Sequence, residues 1–222
     1  MSDRIEQTRA VYDEIATEYA SRIANELEGK PLDRALLDVF ATSIGAEARV
    51  CDAGCGPGHV ARYLRDRGVN VYGLDLSPAM VSEALRRNPD IEFRTGDLTV
   101  LTGEPSDLAA VVAFYSLIHL PRERVTPALR SIHRHLRPNG LVFIAFHIGT
   151  GELHMDEWWE RPVSVDFTFF EVDEMRVYVE QAGFALEWVV EREPYAGVEH
   201  PTRRAYVLAR SLESVGSPSS PT

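Results

Sequence analysis

The chain is almost without lysine. Of its 23 Lys and Arg side chains only Lys30 is a lysine, and the 23 face 34 Asp and Glu, for a formal net charge of -11. A protein that neutralises phosphates carries an excess of basic residues, so this balance argues against nucleic-acid and anionic-membrane partners. Cysteine is scarce as well. Cys51 and Cys55 stand four apart with no second Cys/His cluster at zinc spacing, which argues against a disulfide framework or a metal site and fits a reducing compartment. No apolar run approaches the roughly 18 residues of a membrane span, and Met1-Ser2-Asp3-Arg4 opens no apolar signal stretch, so the expectation is a cytoplasmic protein.

What is present is an ordinary globular composition: 222 residues, 45% hydrophobic and 26% charged. Against about 100–200 residues per domain, this predicts one domain with an accessory cap. Val11, Ile15, Tyr19 and Ile23 recur every four residues on one face of a helix, and Pro31 opens a second. From Arg49 the pattern becomes strand, glycine turn and helix, repeated through Val69–Leu74, Ile91–Arg94, the almost wholly apolar Leu108–Tyr115, and Leu141–Phe146. Ser77-Pro78 reads as an N-cap followed by proline at the first helical position. Such alternation over about 100 residues predicts a parallel, doubly wound α/β sheet. The expected organisation within 1–210 is covering helices over 1–45, a ligand-binding core over 46–147, an aperiodic lid or acceptor loop over 148–170, and a helix with a late hairpin over 171–210. The Ser/Pro-rich stretch 211–222 reads as a disordered tail.

The sharpest motif is Asp52-Ala53-Gly54-Cys55-Gly56-Pro57-Gly58, set between a strand and a helix, where glycines let backbone approach a ligand closely. It departs from the dinucleotide G-x-G-x-x-G/A pattern, whose third small position is here His59. Taken with Gly73-Leu74-Asp75-Leu76-Ser77 and Gly96-Asp97-Leu98, it resembles the class I S-adenosylmethionine-dependent methyltransferase family in its small bacterial, small-molecule form. Tyr12-Asp13-Glu14-Ile15-Ala16 with Tyr19 is similar to that family's N-terminal covering helix, Phe114–Pro121 to the segment after its fourth strand, and Leu136–Gly140 to the turn before its fifth. Where the family often opens the fourth strand with Asp, this chain has Leu108-Ala109, with Asp107 one place earlier.

The resemblance implies a Rossmann-like sheet, mostly parallel with an antiparallel C-terminal edge strand and helices on both faces. It also implies S-adenosylmethionine as cofactor and methyl transfer to an O, N, S or C nucleophile of a small molecule. That cofactor carries a sulfonium, an ammonium and a ribose diol, so it calls for carboxylates and carbonyls. By the resemblance, Asp75 accepts the ribose hydroxyls with Leu76 beside it, Asp97 and Leu98 meet the adenine with Met80, and Asp52 organises Gly54, Gly56 and Gly58 and the ammonium end. Phe114 offers backbone to the methionine portion, and Tyr19 covers the cofactor. Tyr12, His154, Trp158 and Trp159 are the expected acceptor contacts. His147, which ends the fifth strand, is the preferred acceptor-side acid–base residue and His119 the second, since an imidazole suits proton transfer near neutrality. For each histidine a structural hydrogen-bonding role competes. A nicotinamide-dependent oxidoreductase would share the strand–glycine–helix unit, although His59 and Gly96-Asp97 count against it. A non-catalytic S-adenosylmethionine-binding module would keep every motif.

Overall fold

The computed structural model describes residues 2–45, 48–102 and 106–212, and its centre is the least polar segment of the sequence. In chain order the elements are α1 (Ser2–Ile23), α2 (Pro31–Thr42), β1 (Arg49–Ala53), α3 (His59–Arg65), β2 (Asn70–Asp75), α4 (Pro78–Arg87), β3 (Glu92–Thr95), β4 (Leu108–Phe114), α5 (Arg122–His135), β5 (Leu136–His147), β6 (Glu152–Trp158), β7 (Arg161–Thr168), α6 (Val172–Gln181), β8 (Phe184–Arg192) and β9 (Arg204–Ser211). Seven strands form one sheet in the order β3-β2-β1-β4-β5-β9-β8. The pairs from β3 to β5 are parallel, and β9 runs antiparallel to both β5 and β8, one place in from the edge.

All seven residues of β4 are buried because helices cover both faces. Val111 and Ala113 point into a layer built with Val125, Leu129 and Ile132 of α5 and Met175 and Val179 of α6. Ala110, Val112 and Phe114 point the other way, against Leu37 and Phe40 of α2, Leu64 of α3 and Ala84 of α4. The strand order reverses between β1 and β4, and in open α/β sheets that reversal opens a crevice at the carboxyl ends of the strands.

Two expectations are revised. The segment 148–170 is not aperiodic: most of it is the hairpin β6–β7, paired from Glu152↔Thr168 to Trp158↔Arg161. Its turn uses Trp159 and Glu160 at φ 52° and 62°, with no glycine to announce it. The chain does not leave the sheet at 210 either, since Ser211 is a buried strand residue opposite Phe184. Residues 213–222 of the expected tail lie outside the described residues. No helix among the described residues is long and apolar enough to cross a membrane.

Candidate active site

Above the carboxyl ends of β1, β2, β4 and β5 lies a cavity of about 650 Å³, roofed by α1 and the β6–β7 hairpin. Its floor follows from the glycine loop. The N–H groups of Gly54 and Cys55 both donate to the Leu74 carbonyl, at 2.7 and 3.1 Å, which folds the loop back over the end of β2. Gly54 has φ +80°, and a Cβ there would overlap the Cβ of Ser116, so only glycine lets the two loops meet. Gly58 has a different task. It does not line the cavity, and a Cβ on it would come within 2.7 Å of the Phe93 ring; it lets the residue that precedes α3 lie against that ring.

The acidic residues divide in the same way. Asp75 lines the cavity with one oxygen accepting from Gly56 N at 2.7 Å and the other from Ser77 N at 2.9 Å. Each carboxylate oxygen keeps a lone pair for a ligand. Burial pushes this carboxyl up to about 6. Asp97 accepts from Thr99 N at 2.7 Å through one oxygen and also faces the cavity, beside Leu76, Met80 and Leu98. Asp52 is sealed beneath the loop, does not line the cavity, and has one oxygen without a partner; burial pushes it up to about 7. Ser116 Oγ is a buried hydroxyl on the cavity wall without a partner, beside Gly54. These acceptors therefore fit a diol, an amine and a cation rather than a pyrophosphate.

Asp13, whose motif looked like part of a covering helix, explains why that helix lies where it does. Its carboxylate accepts from Ser77 Oγ at 2.6 Å and from Ala79 N at 3.1 Å, clamping α1 onto the N-terminus of α4. From there α1 lowers Tyr12 and Tyr19 onto the cavity. Tyr12 packs edge-on against Tyr19 (5.5 Å between centroids) and Trp158 (6.0 Å), and Trp158 against Phe167 (5.7 Å). Trp159 also lines the cavity, with Arg22 4.8 Å over its ring. Beneath this roof the Tyr12 hydroxyl lies 2.8 Å from His119 Nε2, while His119 Nδ1 lies 3.3 Å from the Asp166 carbonyl oxygen. A carbonyl can only accept, so Nδ1 carries the proton and the Tyr12 hydroxyl donates to Nε2. Burial, partly offset by the Asp166 carbonyl, holds His119 down to about 4, so it is neutral at physiological pH.

His154 is not part of this arrangement. It stands on the outer face of β6, between Leu153 and Met155, which line the cavity, and pairs with Asp166 at 2.6 Å and Asp156 at 3.1 Å. His147 does line the cavity. Its ring lies 5.2 Å from that of Tyr115 and 5.9 Å from that of Phe169, and its Nδ1 is 2.8 Å from Thr202 Oγ1. Burial, with the nearby Arg204, His200 and Lys30, pushes it down to about 3.

Around His147 is a buried charge network that the motifs do not announce. Lys30 pairs with Glu26 at 2.6 Å and Glu199 at 3.6 Å, Arg192 with Asp33 at 2.9 Å and with Glu199, and Arg204 with Glu199 at 3.3 Å. Burial alone would raise Glu26 and Glu199; His59, 2.9 Å away, and Lys30 overcome it at Glu26, and Arg192 with the Tyr195 N–H and Arg204 at Glu199, holding both down to about 2. Lys30, Glu26, Glu199, Arg204 and Tyr115 all line the cavity. One signal was available: the only lysine of the chain stands directly before Pro31, at the mouth of a helix. Cys51 and Cys55 are free and buried, and burial raises both thiols. No group of three or more His, Cys, Asp or Glu among the described residues could hold a metal ion.

Comparison with known proteins supplies the family. Residues 50–140 match a family model described as a methyltransferase domain. A malonyl-[acyl-carrier protein] O-methyltransferase of Enterobacter lignolyticus is 32% identical over 118 residues, 53% of this chain and 45% of that protein. A demethylmenaquinone methyltransferase of Beutenbergia cavernae is 31% identical over 140 residues, 61% and 55% of the two chains. The chain thus spans about half the length of these curated relatives. A magnesium protoporphyrin IX methyltransferase from Synechocystis PCC 6803, solved with SAM bound, shares the fold with a TM-score of 0.70 at 19% identity, covering 94% of this chain and 97% of that one. Strand order, glycine loop and family model agree, and the chain carries a methyltransferase domain over residues 50–140, similar to the class I S-adenosylmethionine-dependent methyltransferase family.

Proposed function

We propose that this chain transfers a methyl group from S-adenosylmethionine to a nucleophilic atom of a small, largely apolar molecule. The observation that carries the reading is the meeting, in one cavity, of a ribose-type acceptor, Asp75, with a hydrogen-bonded Tyr12–His119 pair beneath an aromatic roof. The relatives' names give acceptors as unlike as malonyl-[acyl-carrier protein] and demethylmenaquinone, so what carries over is the transfer and not an acceptor.

When bound, S-adenosylmethionine supplies an electrophilic methyl on a sulfonium. The chain's part is to hold the donor and the nucleophile in line and to exclude water. Asp75 would take the ribose hydroxyls on its free lone pairs, Asp97 the adenine amine, and Leu76, Met80 and Leu98 the ring. Backbone at Gly54, Gly56 and Phe114 and the Ser116 hydroxyl would line the methionine portion, with Tyr19 above. Trp158, Trp159, Phe167 and the methyl-bearing side chains of the hairpin would enclose the acceptor. Tyr12 and His119 can move a proton as a relay: the acceptor's O–H or N–H gives its proton to Tyr12 Oη while the Tyr12 proton passes to His119 Nε2. The resulting imidazolium keeps its Nδ1–H on the Asp166 carbonyl. Tyr12 holds no charge at rest, since burial raises its phenol well above the ordinary value.

The test uses S-adenosylmethionine with a deuterated methyl group, incubated with the protein and a fractionated metabolite extract and read by mass spectrometry. Label entering a small molecule is the expected result. Tight binding of S-adenosylhomocysteine without transfer to any fraction would favour a non-catalytic binding module, and preferential binding of NAD would remove the reading altogether.

A further inference from the structure

His147 is held on three sides. Tyr115 and Phe169 flank its ring, and Nδ1 meets Thr202 Oγ1. Thr202 Oγ1 also accepts from the Arg204 guanidinium, at 2.6 Å, and a guanidinium can only donate. The hydroxyl therefore has one lone pair occupied and one proton to place, and among the described residues its only other polar contact is His147 Nδ1. If Nδ1 carried a proton, the half-buried Thr202 hydroxyl would accept twice, from Nδ1 and from Arg204, and its own proton would find no acceptor among the described residues. The satisfied arrangement has Thr202 donating to Nδ1, which places the imidazole proton on Nε2. Arg204, 2% exposed and fixed by the Thr202 and His200 carbonyls, cannot turn away to change this.

Among the described residues Nε2 has no hydrogen-bond partner, and His147 lines the cavity. We propose that His147 is a hydrogen-bond donor that anchors a neutral carbonyl oxygen of the methyl acceptor, set in this orientation by Thr202 and Arg204, and that it is not the base. The choice of a neutral carbonyl over a carboxylate follows from the charges nearby. Lys30, Arg192 and Arg204 each already face a carboxylate among Glu26, Asp33 and Glu199, so three cations stand against three anions, and the imidazoles of His147 and its neighbour His200, 6.5 Å between ring centroids, are what this wall has left to offer. A free carboxylate would enter without a cation to receive it. The remaining walls, Phe169, Val198 and the Tyr115 ring, suit an aryl or alkyl ketone. The low pKa of His147 is consistent with a ring that stays neutral and keeps that single donor.

This inference rests on the methyl-transfer reading for the place of the acceptor, and the experiment separates the two. Calorimetry of S-adenosylhomocysteine with the wild-type protein comes first; absence of binding would count against the methyl-transfer reading itself. On the loaded protein, long-range proton–nitrogen NMR of the histidines at pH 7 should show His147 as a neutral ring with the proton on Nε2. A proton on Nδ1, or a charged ring, overturns the proposal, and because wild-type protein is used the result does not depend on any variant folding. Three probes of similar size then test the ligand class. Acetophenone should bind about tenfold more tightly than ethylbenzene, the worth of one hydrogen bond, and should shift the Nε2 signal. The difference should vanish in His147→Phe and persist in His119→Gln. Equal binding of acetophenone and ethylbenzene to the wild type, or tighter binding of benzoate than of acetophenone, overturns the carbonyl assignment.

Discussion

The Tyr12 hydroxyl donates to Nε2 of His119 across 2.8 Å, joining the first helix of the chain to the turn that follows β4. The bond ties the covering helix to the one ring nitrogen that can accept a proton, so roof and chemistry share a contact. If this pair relays the acceptor's proton, His119→Gln should lower kcat by about 10²–10⁴-fold, the range for loss of a general base. Tyr12→Phe should lower it by about tenfold or more. Both should leave S-adenosylhomocysteine affinity within about threefold. Steady-state kinetics with separate calorimetry checks this; wild-type kcat in both variants would remove the relay.

Asp75 spends one lone pair of each oxygen on backbone N–H groups and presents the other to the cavity. Asp75→Asn keeps the shape but replaces one acceptor oxygen by a donor. It should weaken S-adenosylhomocysteine binding by about 2–3 kcal/mol, since bonds to charged groups are worth about 1.5–3 kcal/mol. Calorimetry on a variant with an unchanged circular dichroism spectrum is the measurement, and an unaltered dissociation constant would remove Asp75 from the ribose.

The same carboxyl predicts a pH dependence. Burial raises it to about 6, and only the ionised form offers an acceptor oxygen to each hydroxyl of a diol. Affinity should therefore be full above about pH 7 and fall as pH drops through 6, with proton release on binding near pH 6, detectable as a dependence of binding heat on the buffer. For folding without ligand the sign reverses. A carboxyl whose folded pKa lies above its unfolded value contributes stability that is present below about pH 4 and lost as pH rises through 6. Asp75→Asn should flatten the binding profile.

Gly54→Ala places a methyl against Ser116 at a left-handed backbone position. It should cost about 1–3 kcal/mol of stability, as overpacking does, and weaken cofactor binding as the loop lifts. Urea denaturation and calorimetry on the same sample will show whether both change. Intact stability and affinity would mean that the two loops do not need their close approach.

The core and one wall of the cavity were legible because their signals are local. The strand–glycine–helix unit, the cap at Ser77 and the acid ending β2 each occupy a few consecutive residues whose geometry follows from their type. The hairpin was not. Leu153 and Met155 on one strand and Val163, Val165 and Phe167 on the other do alternate, but a register shift between Met155 and Glu157, a proline at 162 and a turn built on Trp159 and Glu160 obscure the period. His154 was placed with the acceptor residues because its type matched; its place between two inward residues turns it outward. Gly58 and Asp52 share a motif with Gly54 and Gly56, yet neither lines the cavity: Gly58 lies against Phe93 and Asp52 is buried beneath the loop. The network of Lys30, Asp33, Arg192, Glu199 and Arg204 joins positions some 160–170 apart in the chain, and no local pattern encodes such a meeting.

Because α1 and the hairpin roof the cavity together, donor and acceptor would lie under one cover. Arg4 bonds Glu152 and Thr168, and Gln7 bonds Ser164, so the helix that would shield the donor is stitched to the hairpin that would shield the acceptor. A deeply seated donor must then enter before the acceptor and its spent form leave after the product. Turnover would follow a compulsory order, with S-adenosylhomocysteine competing against S-adenosylmethionine alone.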